Sequence, residues 1–469
     1  MSAHPSALAG QRVLVLGLGE SGLAMARWCA RQGARLRVAD TRNDPPGAAE
    51  WQTGSADVEW VCGPFAASLL DGVDRVAVSP GLDPRGGVIA LARERGIPVV
   101  GEMTLFAEAL AELDARGRTR IAAITGTNGK TTTTALAGAL AAAAGWDTAV
   151  AGNISPAPLA VLRERLDAGQ ALPECWVLEL SSFQIETLAG LNPEAATVLN
   201  VTDDHLDRYA DMEEYAATKA RVFEGEGVQI LNRQDPRVLA MARPGRPVWT
   251  FGIDAPAGPN DFGLTQAGGE TWLARGAARR LRVGDLRLAG LHNQANALAA
   301  LALVEALGAA PEQVVPALAA FRGLPHRVEL VARRNDGVSF YDDSKGTNVG
   351  ATVAALDGLQ RRVVLIAGGD GKGQDFSPLR EVVARHARAV VLIGRDAPKI
   401  EAALTGCGVS LAHGVDLDDA VAQAGAVAQP EDAVLLSPAC ASLDMFRNYA
   451  HRAEVFIAAV ARLPGVTRV

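Results

Sequence analysis

The run Thr125-Gly126-Thr127-Asn128-Gly129-Lys130-Thr131-Thr132 limits what this chain can fold into more than any other stretch. An apolar segment, Ile121 to Ile124, precedes it, and an alanine-rich segment of strong helix propensity, Ala135 to Ala144, follows. That order implies a strand, a tight loop and a helix. Such a loop aims backbone N–H groups and a helix N-terminus at an anion, and Lys130 adds a mobile positive charge. Thr131, directly after the lysine, is placed to meet the magnesium ion that accompanies a nucleoside triphosphate. Gly126, Thr127, Asn128, Gly129, Lys130, Thr131 and Thr132 are therefore the expected triphosphate cradle. The full phosphate-loop pattern has a glycine five positions before Gly129, where this chain has Ile124, so the loop is a shortened relative. The bland alternative is a glycine-rich turn beside an ordinary surface lysine.

At 469 residues the chain has room for about three domains of ~150 residues. Its net charge of −8 argues against a nucleic-acid partner, because a phosphate-backbone binder needs a basic face. Anionic ligands must then be met by local positive sites. Met1 to Gly10 has no basic start followed by an apolar core, so no signal peptide is expected. Nor does any apolar run reach the ~18 residues of a membrane span. The five cysteines are widely spaced with no CxxC pair, which suits reduced thiols and a cytoplasmic location.

The first third reads as a dinucleotide-type fold. A strand from Arg12 to Leu16 leads into Gly17-Leu18-Gly19-Glu20-Ser21-Gly22 and a helix to Gln32, and a second strand, Arg35 to Ala39, ends on Asp40. The glycines and a downstream acid suggest NAD, with Asp40 on the ribose, but Thr41 and Arg42 beside the acid suit a differently shaped anion. Val76 to Val78 then runs into the turn Ser79-Pro80-Gly81, and the domain is expected to end near Val100.

In the middle third, Cys175 to Leu180 reads as a buried strand carrying Glu179 near its C-terminal end. A carboxylate there is costly unless paired or on a metal, which makes Glu179 a magnesium candidate. The strand Ala196 to Asn200 leads to His205 among acids, a second metal or substrate candidate, with simple pairing to an aspartate as the alternative. Lys219, on the helical segment Met212 to Phe223, reads as an ordinary surface lysine. His292-Asn293-Gln294-Ala295-Asn296 opens an apolar helix, either as capping or facing an adenine.

The last third alternates strands and helices again. Four apolar strands each end in a polar loop: Asp343 to Asn348, Gly368 to Gly373, Gly394 to Asp396, and Ser437 to Asp444. In an open α/β sheet such loops share one edge and form a crevice.

With these stretches in view, the chain resembles the Mur ligases along nearly its whole length. The resemblance rests on GTNGKTT, ELSSFQ (Glu179 to Gln184), NVTDDHLDRY (Asn200 to Tyr209) and HNxxNALAA (His292 to Ala300). It continues in GLPHRVE (Gly323 to Glu329), DSKGTN (Asp343 to Asn348), GGDGKGQDF (Gly368 to Phe376) and SPACASLDMF (Ser437 to Phe446). The phosphate loop and the HNxxN helix are shared with folylpolyglutamate synthases, whereas DSKGTN and SPACASLD point to the D-glutamate-adding branch. The resemblance implies an α/β chain of three domains: an N-terminal Rossmann-like domain over 1–100 for the UDP substrate, a central P-loop-type ATP-binding domain over 101–323, and a C-terminal Rossmann-like domain over 324–469 for amino acid and ATP.

Residue by residue, it implies that Ser21, Asp40, Thr41, Arg42, Ser79, Pro80, Gly81 and Asn153 hold the UDP part of UDP-N-acetylmuramoyl-L-alanine, displacing NAD. Lys130 and Thr131 would meet the ATP phosphates and a first magnesium, with Glu179 as a further ligand. His205 would bind a second magnesium, and Lys219 would be carbamoylated to bridge the metals. Asn296, Arg327 and Asp343 would hold ATP. Lys345, Thr347, Lys372, Ser442, Leu443 and Tyr449 would surround D-glutamate, with Lys130, His205, Lys219 and Lys345 as the catalytic set. Two positions depart from the family pattern: Glu20 stands where it has an apolar residue, and Tyr449 where it has phenylalanine. The implied reaction passes through an acyl phosphate and a tetrahedral intermediate, by a monomer whose C-terminal domain closes on ATP, without nucleic acid or membrane. An NAD-dependent oxidoreductase, another Mur ligase or folylpolyglutamate synthase, and a non-catalytic nucleotide binder are the competing readings.

Overall fold

The computed structural model describes residues 6–51, 58–205, 208–359 and 361–469. Leu206 and Asp207 of the NVTDDHLDRY stretch thus lie outside the described residues. The chain divides into two compact units: Met1–Gly252, Pro256–Phe262 and Ala299–Ala317 form the first, and Ile253–Ala255, Gly263–Leu298 and Leu318–Val469 the second.

The first unit holds two sheets. One is fully parallel, with β1 (Arg12–Leu16), β2 (Arg35–Asp40), β3 (Glu59–Cys62), β4 (Arg75–Val78) and β5 (Val99–Val100) in the order β3-β2-β1-β4-β5. That is the arrangement of a Rossmann half, with the strand order reversing between β1 and β4. Gly22, at the start of the helix Glu20–Arg31, permits the close helix–strand approach: a Cβ there would sit 1.8 Å from the Gly17 carbonyl oxygen. The second sheet is built from β6 (Arg120–Thr125), β7 (Thr148–Gly152), β8 (Cys175–Glu179), β9 (Ala195–Val198), β10 (Val228–Asn232), β11 (Val248–Phe251) and the start of β12 (Asp261–Ala267). These strands run parallel in the order β12-β11-β10-β9-β6-β8-β7. Their central members are continuous apolar runs because helices cover both faces.

One core joins the two sheets. Trp28 and Cys29 from the helix Glu20–Arg31, Phe106 and Leu110 from the helix Glu102–Glu112, and Leu159 and Leu162 from the helix Pro158–Asp167 belong to a single buried cluster. Phe106 meets Trp176 of β8 edge-on at 4.8 Å. Burial of side chains of this size contributes about 1.5–3 kcal/mol each, so the two sheets cohere without a large polar interface.

The helix after the phosphate loop spans Lys130–Ala143 and so starts five residues before the alanine-rich stretch. Gly129 makes this possible, turning the chain through φ +83° in the left-handed region and setting Lys130 as the first helical residue. Leu136, Ala137, Leu140 and Ala141 then bury the inner face.

The second unit contains the hairpin β13 (Glu270–Arg275) and β14 (Ala278–Arg282), and one mixed sheet. Its strands are β15 (Glu329–Arg334), β16 (Ser339–Asp342), β17 (Val363–Gly368), β18 (Ala387–Ile393), β19 (Ser410–His413), β20 (Ala433–Leu436) and β21 (Val466–Arg468). The order is β19-β18-β17-β20-β16-β15-β21, parallel from β19 to β16 and antiparallel beyond. Because β16, β20, β17 and β18 are parallel neighbours, the loops that follow them emerge at one edge.

Candidate functional site

In the first unit the ends of β1, β2 and β4 open onto a cavity of about 450 Å³. Ser21, Asp40, Thr41 and Arg42 line it from one side, and Ser79, Pro80 and Gly81 from the turn after β4. Asn153 lines it too, so the structure brings together all eight residues expected around the UDP group. Asp40 is held from three directions: the Leu18 N–H donates to it at 2.7 Å, the Arg42 N–H at 2.9 Å, and the Arg42 guanidinium at 2.9 and 2.7 Å. That guanidinium, with the two N–H groups, holds the Asp40 carboxyl down at about 2. The acid is thus spent on orienting Arg42, which stays half-exposed in the cavity. Ser79 is fixed through its hydroxyl, which donates to the Gly17 carbonyl at 2.7 Å.

Sequence reasoning missed Phe65 and Gln184, which also line the cavity. Gln184 was visible inside ELSSFQ, whereas nothing around Phe65 marks it. Glu20 is there as well. Its carboxylate accepts from the Ser155 hydroxyl at 2.6 Å and the Ala157 N–H at 3.1 Å. Behind it lies Glu102, fully buried, accepting from the Leu159 N–H at 3.3 Å and from Ser21. Burial pushes the Glu102 carboxyl up to about 7, against the hydrogen bonds from Ser21 and Leu159.

Asn153 connects this cavity to Glu179. Its backbone N–H donates to the Glu179 carbonyl at 2.7 Å and its side-chain amide to Glu179 Oε1 at 2.7 Å. The other oxygen, Oε2, is buried and has no hydrogen-bond partner among the described residues. A buried carboxylate oxygen left open at a strand C-terminus fits a cation.

The phosphate loop itself is tightly held. The Asn128 N–H donates to Asn200 Oδ1 at 2.8 Å, and the Asn200 amide returns a bond to the Asn128 carbonyl at 3.1 Å. Thr131 and Thr132 are buried in the first helical turn. Lys130 folds back and donates to the carbonyls of Gly126 and Thr127, at 2.9 and 2.8 Å. Lys219, expected at the surface from sequence physics, is only 1% exposed. Its ammonium reaches the same Gly126 carbonyl at 3.1 Å and lies 4.4 Å from the centre of the Tyr215 ring. Burial, then the charge of Lys130, push its pKa well below the usual lysine range, with Asp204 opposing. His205 adopts the left-handed conformation at φ +55°. Its ring packs 4.6 Å from Phe183, and its Nε2 lies 3.6 Å from Asp204.

The second unit gathers the remaining expected residues. Asp343 is buried and accepts from the Ser437 hydroxyl at 2.7 Å. Burial pushes its carboxyl up to about 7, with Ser437 and Arg327 pulling the other way. The neighbouring Asp342 contacts His326 Nδ1 at 2.6 Å, and Glu329 accepts from the His326 N–H at 2.9 Å. On the helix Leu291–Ala306, the Asn296 amide donates to Asn293 Oδ1 at 3.2 Å. Lys345 stands 5.2 Å over the ring of Tyr449. Thr347 follows in the same loop. Lys372, at φ +51°, donates its N–H to Asp370 at 2.9 Å. Ser442 is buried, whereas Leu443 is 73% exposed.

The loops are tied to each other. The Gly371 N–H donates to Asp396 at 2.7 Å, and the Arg395 N–H to Asp444 at 2.9 Å. Arg452, which no sequence feature singled out, is fully buried and donates to Ser344 Oγ at 3.0 Å, the Ser344 carbonyl at 2.7 Å and the Cys440 carbonyl at 3.1 Å. It staples the loop after β16 to the loop after β20.

Three family models match the chain: the Mur ligase MurD-like N-terminal domain over residues 11–101, the Mur ligase middle domain over 124–304, and the Mur ligase glutamate ligase domain over 326–440. A relative from Aromatoleum aromaticum, a UDP-N-acetylmuramoylalanine–D-glutamate ligase, is 69% identical over 98% of this chain and 99% of its own. A ligase of the same name from Ralstonia nicotianae is 56% identical over 97% and 98%. Among solved structures, a pseudomurein peptide ligase type C from Methanothermus fervidus shares the fold at 17% identity, with a TM-score of 0.58 over 96% of this chain and 99% of that one.

Proposed function

The chain belongs to the Mur ligase family, and on that premise we propose how its residues carry out an ATP-dependent ligation in peptidoglycan synthesis, the addition of D-glutamate to UDP-N-acetylmuramoyl-L-alanine. Membership removes the NAD reading of Gly17 to Gly22. The alanyl carboxylate attacks the γ-phosphorus of ATP, giving an acyl phosphate and ADP. The D-glutamate amine then adds to the acyl carbon, and the tetrahedral intermediate expels phosphate to leave an amide.

The observation that most supports this assignment of residues is the pair of hydrogen bonds that Asn153 donates to Glu179. One residue lines the cavity assigned to the UDP group and also holds the acid assigned to the phosphate-loop metal. A substrate seated in the cavity would then need only to extend past Asn153 for its carboxylate to meet the γ-phosphate. Arg42 would face the diphosphate. The amides of Gly126 to Thr132 would cradle the ATP phosphates, and Lys130 would swing from the loop carbonyls onto the transferring group. Thr131, Glu179 and His205 would hold magnesium, which when bound neutralises the phosphate oxygens. Asn296, Arg327 and Asp343 would grip the nucleotide. Lys345, Thr347, Lys372, Ser442, Leu443 and Tyr449 would orient D-glutamate.

Lys219 would act as a carbamate. A buried amine short of acceptors and pressed by a second cation favours its neutral form, which is the form that adds carbon dioxide. Labelled bicarbonate should give a carbamate carbon resonance that Lys219→Ala removes, and a free lysine under saturating bicarbonate overturns the assignment. Among the described residues no helix is long and apolar enough to cross a membrane. We assign a monomer acting in the cytoplasm, and light scattering that reads a dimer would overturn the monomer.

The deciding measurement is amino-acid-dependent ADP release with UDP-N-acetylmuramoyl-L-alanine. Release should require D-glutamate, and strict preference for L-glutamate or a diamino acid would sink the substrate assignment.

A further inference from the structure

At the opposite edge of the second unit's sheet, away from the substrate loops, lies a cavity of about 760 Å³. Its rim is basic. Arg361 and Arg362 immediately precede β17, and Arg385 and His386 immediately precede β18. Since β17 and β18 are parallel neighbours, both pairs emerge together at the N-terminal ends of the strands, whereas the loops at Gly369 to Lys372 and Gly394 to Asp396 leave from the C-terminal ends. The two sites are thus separated by the length of the sheet.

The rim carries three guanidiniums against one carboxylate, Asp357. Asp357 accepts from His386 at 2.9 Å and reaches Arg385 only at 3.4 Å. A second acid, Glu381, lies 3.9 Å from Arg385, and its side chain is 87% exposed. Arg361 contacts the Ser339 hydroxyl at 3.5 Å, the limit of a hydrogen bond. Arg362 donates to the carbonyls of Arg385 and Ala387, at 3.2 and 3.3 Å, which pins it without neutralising it. Positive charge therefore accumulates at this edge of a chain whose net charge is −8.

The floor is apolar, formed by Leu291, Ala354 and Gly358. His292 adds no charge there, because burial pushes its imidazole down to about 4. A basic rim above an apolar floor suits an organic phosphate: the guanidiniums grip phosphoryl oxygens by paired N–H bonds, and the floor receives the rest of the molecule. Leu291 and His292 also begin the helix that carries Asn293 and Asn296, so an occupant would bear on the helix assigned to the nucleotide.

We propose that this cavity is a second anion site, which binds a phosphate-bearing small molecule through Arg361, Arg362 and Arg385. The proposal does not depend on the ligation reading, since it needs only the basic rim.

Pyrophosphate is the probe, titrated calorimetrically into the full chain without magnesium or ATP. The first unit's cavity beside Arg42 is also assigned to a diphosphate, so every titration is run in an Arg42→Ala background, where two classes of site are expected. Lys130→Ala should remove one, and the double variant R361A/R385A should remove the other while leaving the thermal midpoint within a few degrees. Charge reversal with Arg361→Glu should abolish the second class alone, and Arg361→Lys should retain it at about tenfold weaker affinity. A single class lost wholly in Lys130→Ala overturns the proposal, as does a second class that survives in a folded R361A/R385A protein. If the double variant does not fold, Arg361→Glu alone decides.

Discussion

The phosphate-loop region of the first unit and the loop edge of the second each bury a cation, and they treat it in opposite ways. Arg452 has no exposed surface and gives three hydrogen bonds to acceptors on two loops. Lys219 is as deeply buried, yet its ammonium donates to the Gly126 carbonyl, which already takes a bond from Lys130. Burial lowers both pKa values, but Arg452 only to about 10, where it remains a cation, while Lys219 falls well below its usual range. A satisfied buried cation builds structure, and an under-satisfied one is a reservoir of reactivity.

The sharpest way to break this contrast is Lys219→Ala. Turnover should fall roughly a thousandfold, the scale of losing one preorganised group at a phosphoryl-transfer site. Stability should change little or rise, because a buried polar amine with few acceptors is removed. Steady-state ADP release and urea unfolding measure the two effects. A variant that unfolds readily while a folded fraction keeps full turnover would place Lys219 in the same class as Arg452.

Arg452→Met is the complementary change. It strands the carbonyls of Ser344 and Cys440 in the interior, at a cost of about 3 kcal/mol to the second unit. The KM for D-glutamate should rise with kcat less affected, since Ser344 adjoins Lys345. An unchanged unfolding midpoint would show that the three bonds hold nothing together.

The contrast extends to carboxylates. Glu102 is buried and pushed up to about 7 from 4.5 by desolvation. The folded state therefore keeps a proton that the unfolded state releases above about 4.5. Between those values the folded form binds more protons, so this group's contribution to stability falls as pH rises and levels off above about 7. Glu102→Gln should remove that slope and gain up to about 3 kcal/mol at pH 8, most of it already present at pH 7. Unfolding midpoints from pH 4 to 8 test this, and parallel profiles for both proteins would refute it.

Much of this was legible in the chain because its signals are local. The phosphate loop, the parallel strands and the polar loops after them all follow from short apolar runs ending in glycine or serine. Gly268-Gly269, between β12 and β13, is a further local signal, the two-glycine turn of a hairpin. Lys219 and Arg452 were not legible from residue physics, because a cation on a helix looks the same whether its face meets water or a core. For Lys219 the family resemblance supplied what periodicity could not. The shared core of the helices Glu20–Arg31, Glu102–Glu112 and Pro158–Asp167 was hidden for the same reason: each reads as an ordinary amphipathic helix, and only packing shows that they converge.

Glu20 gives the mildest test and bears on that convergence. It replaces an apolar residue of the family pattern, and its two oxygens hold Ser155 and Ala157 at the N-terminus of the helix Pro158–Asp167, where negative charge is favoured. That helix start has no side-chain cap of its own, so Glu20 and Glu102 serve it from outside. Glu20 is exposed and fully paired where Glu102 is buried and half-paired, so its loss should matter little to folding. It should matter more to the cavity, because it fixes the turn that carries Asn153. Glu20→Leu should raise the KM for the UDP substrate by about threefold to tenfold, with kcat nearly constant, as expected for one or two surface hydrogen bonds. Glu20→Gln, which keeps one acceptor, should fall between. A kcat loss with unchanged KM would mean that Glu20 acts on the reacting groups rather than on the cavity wall.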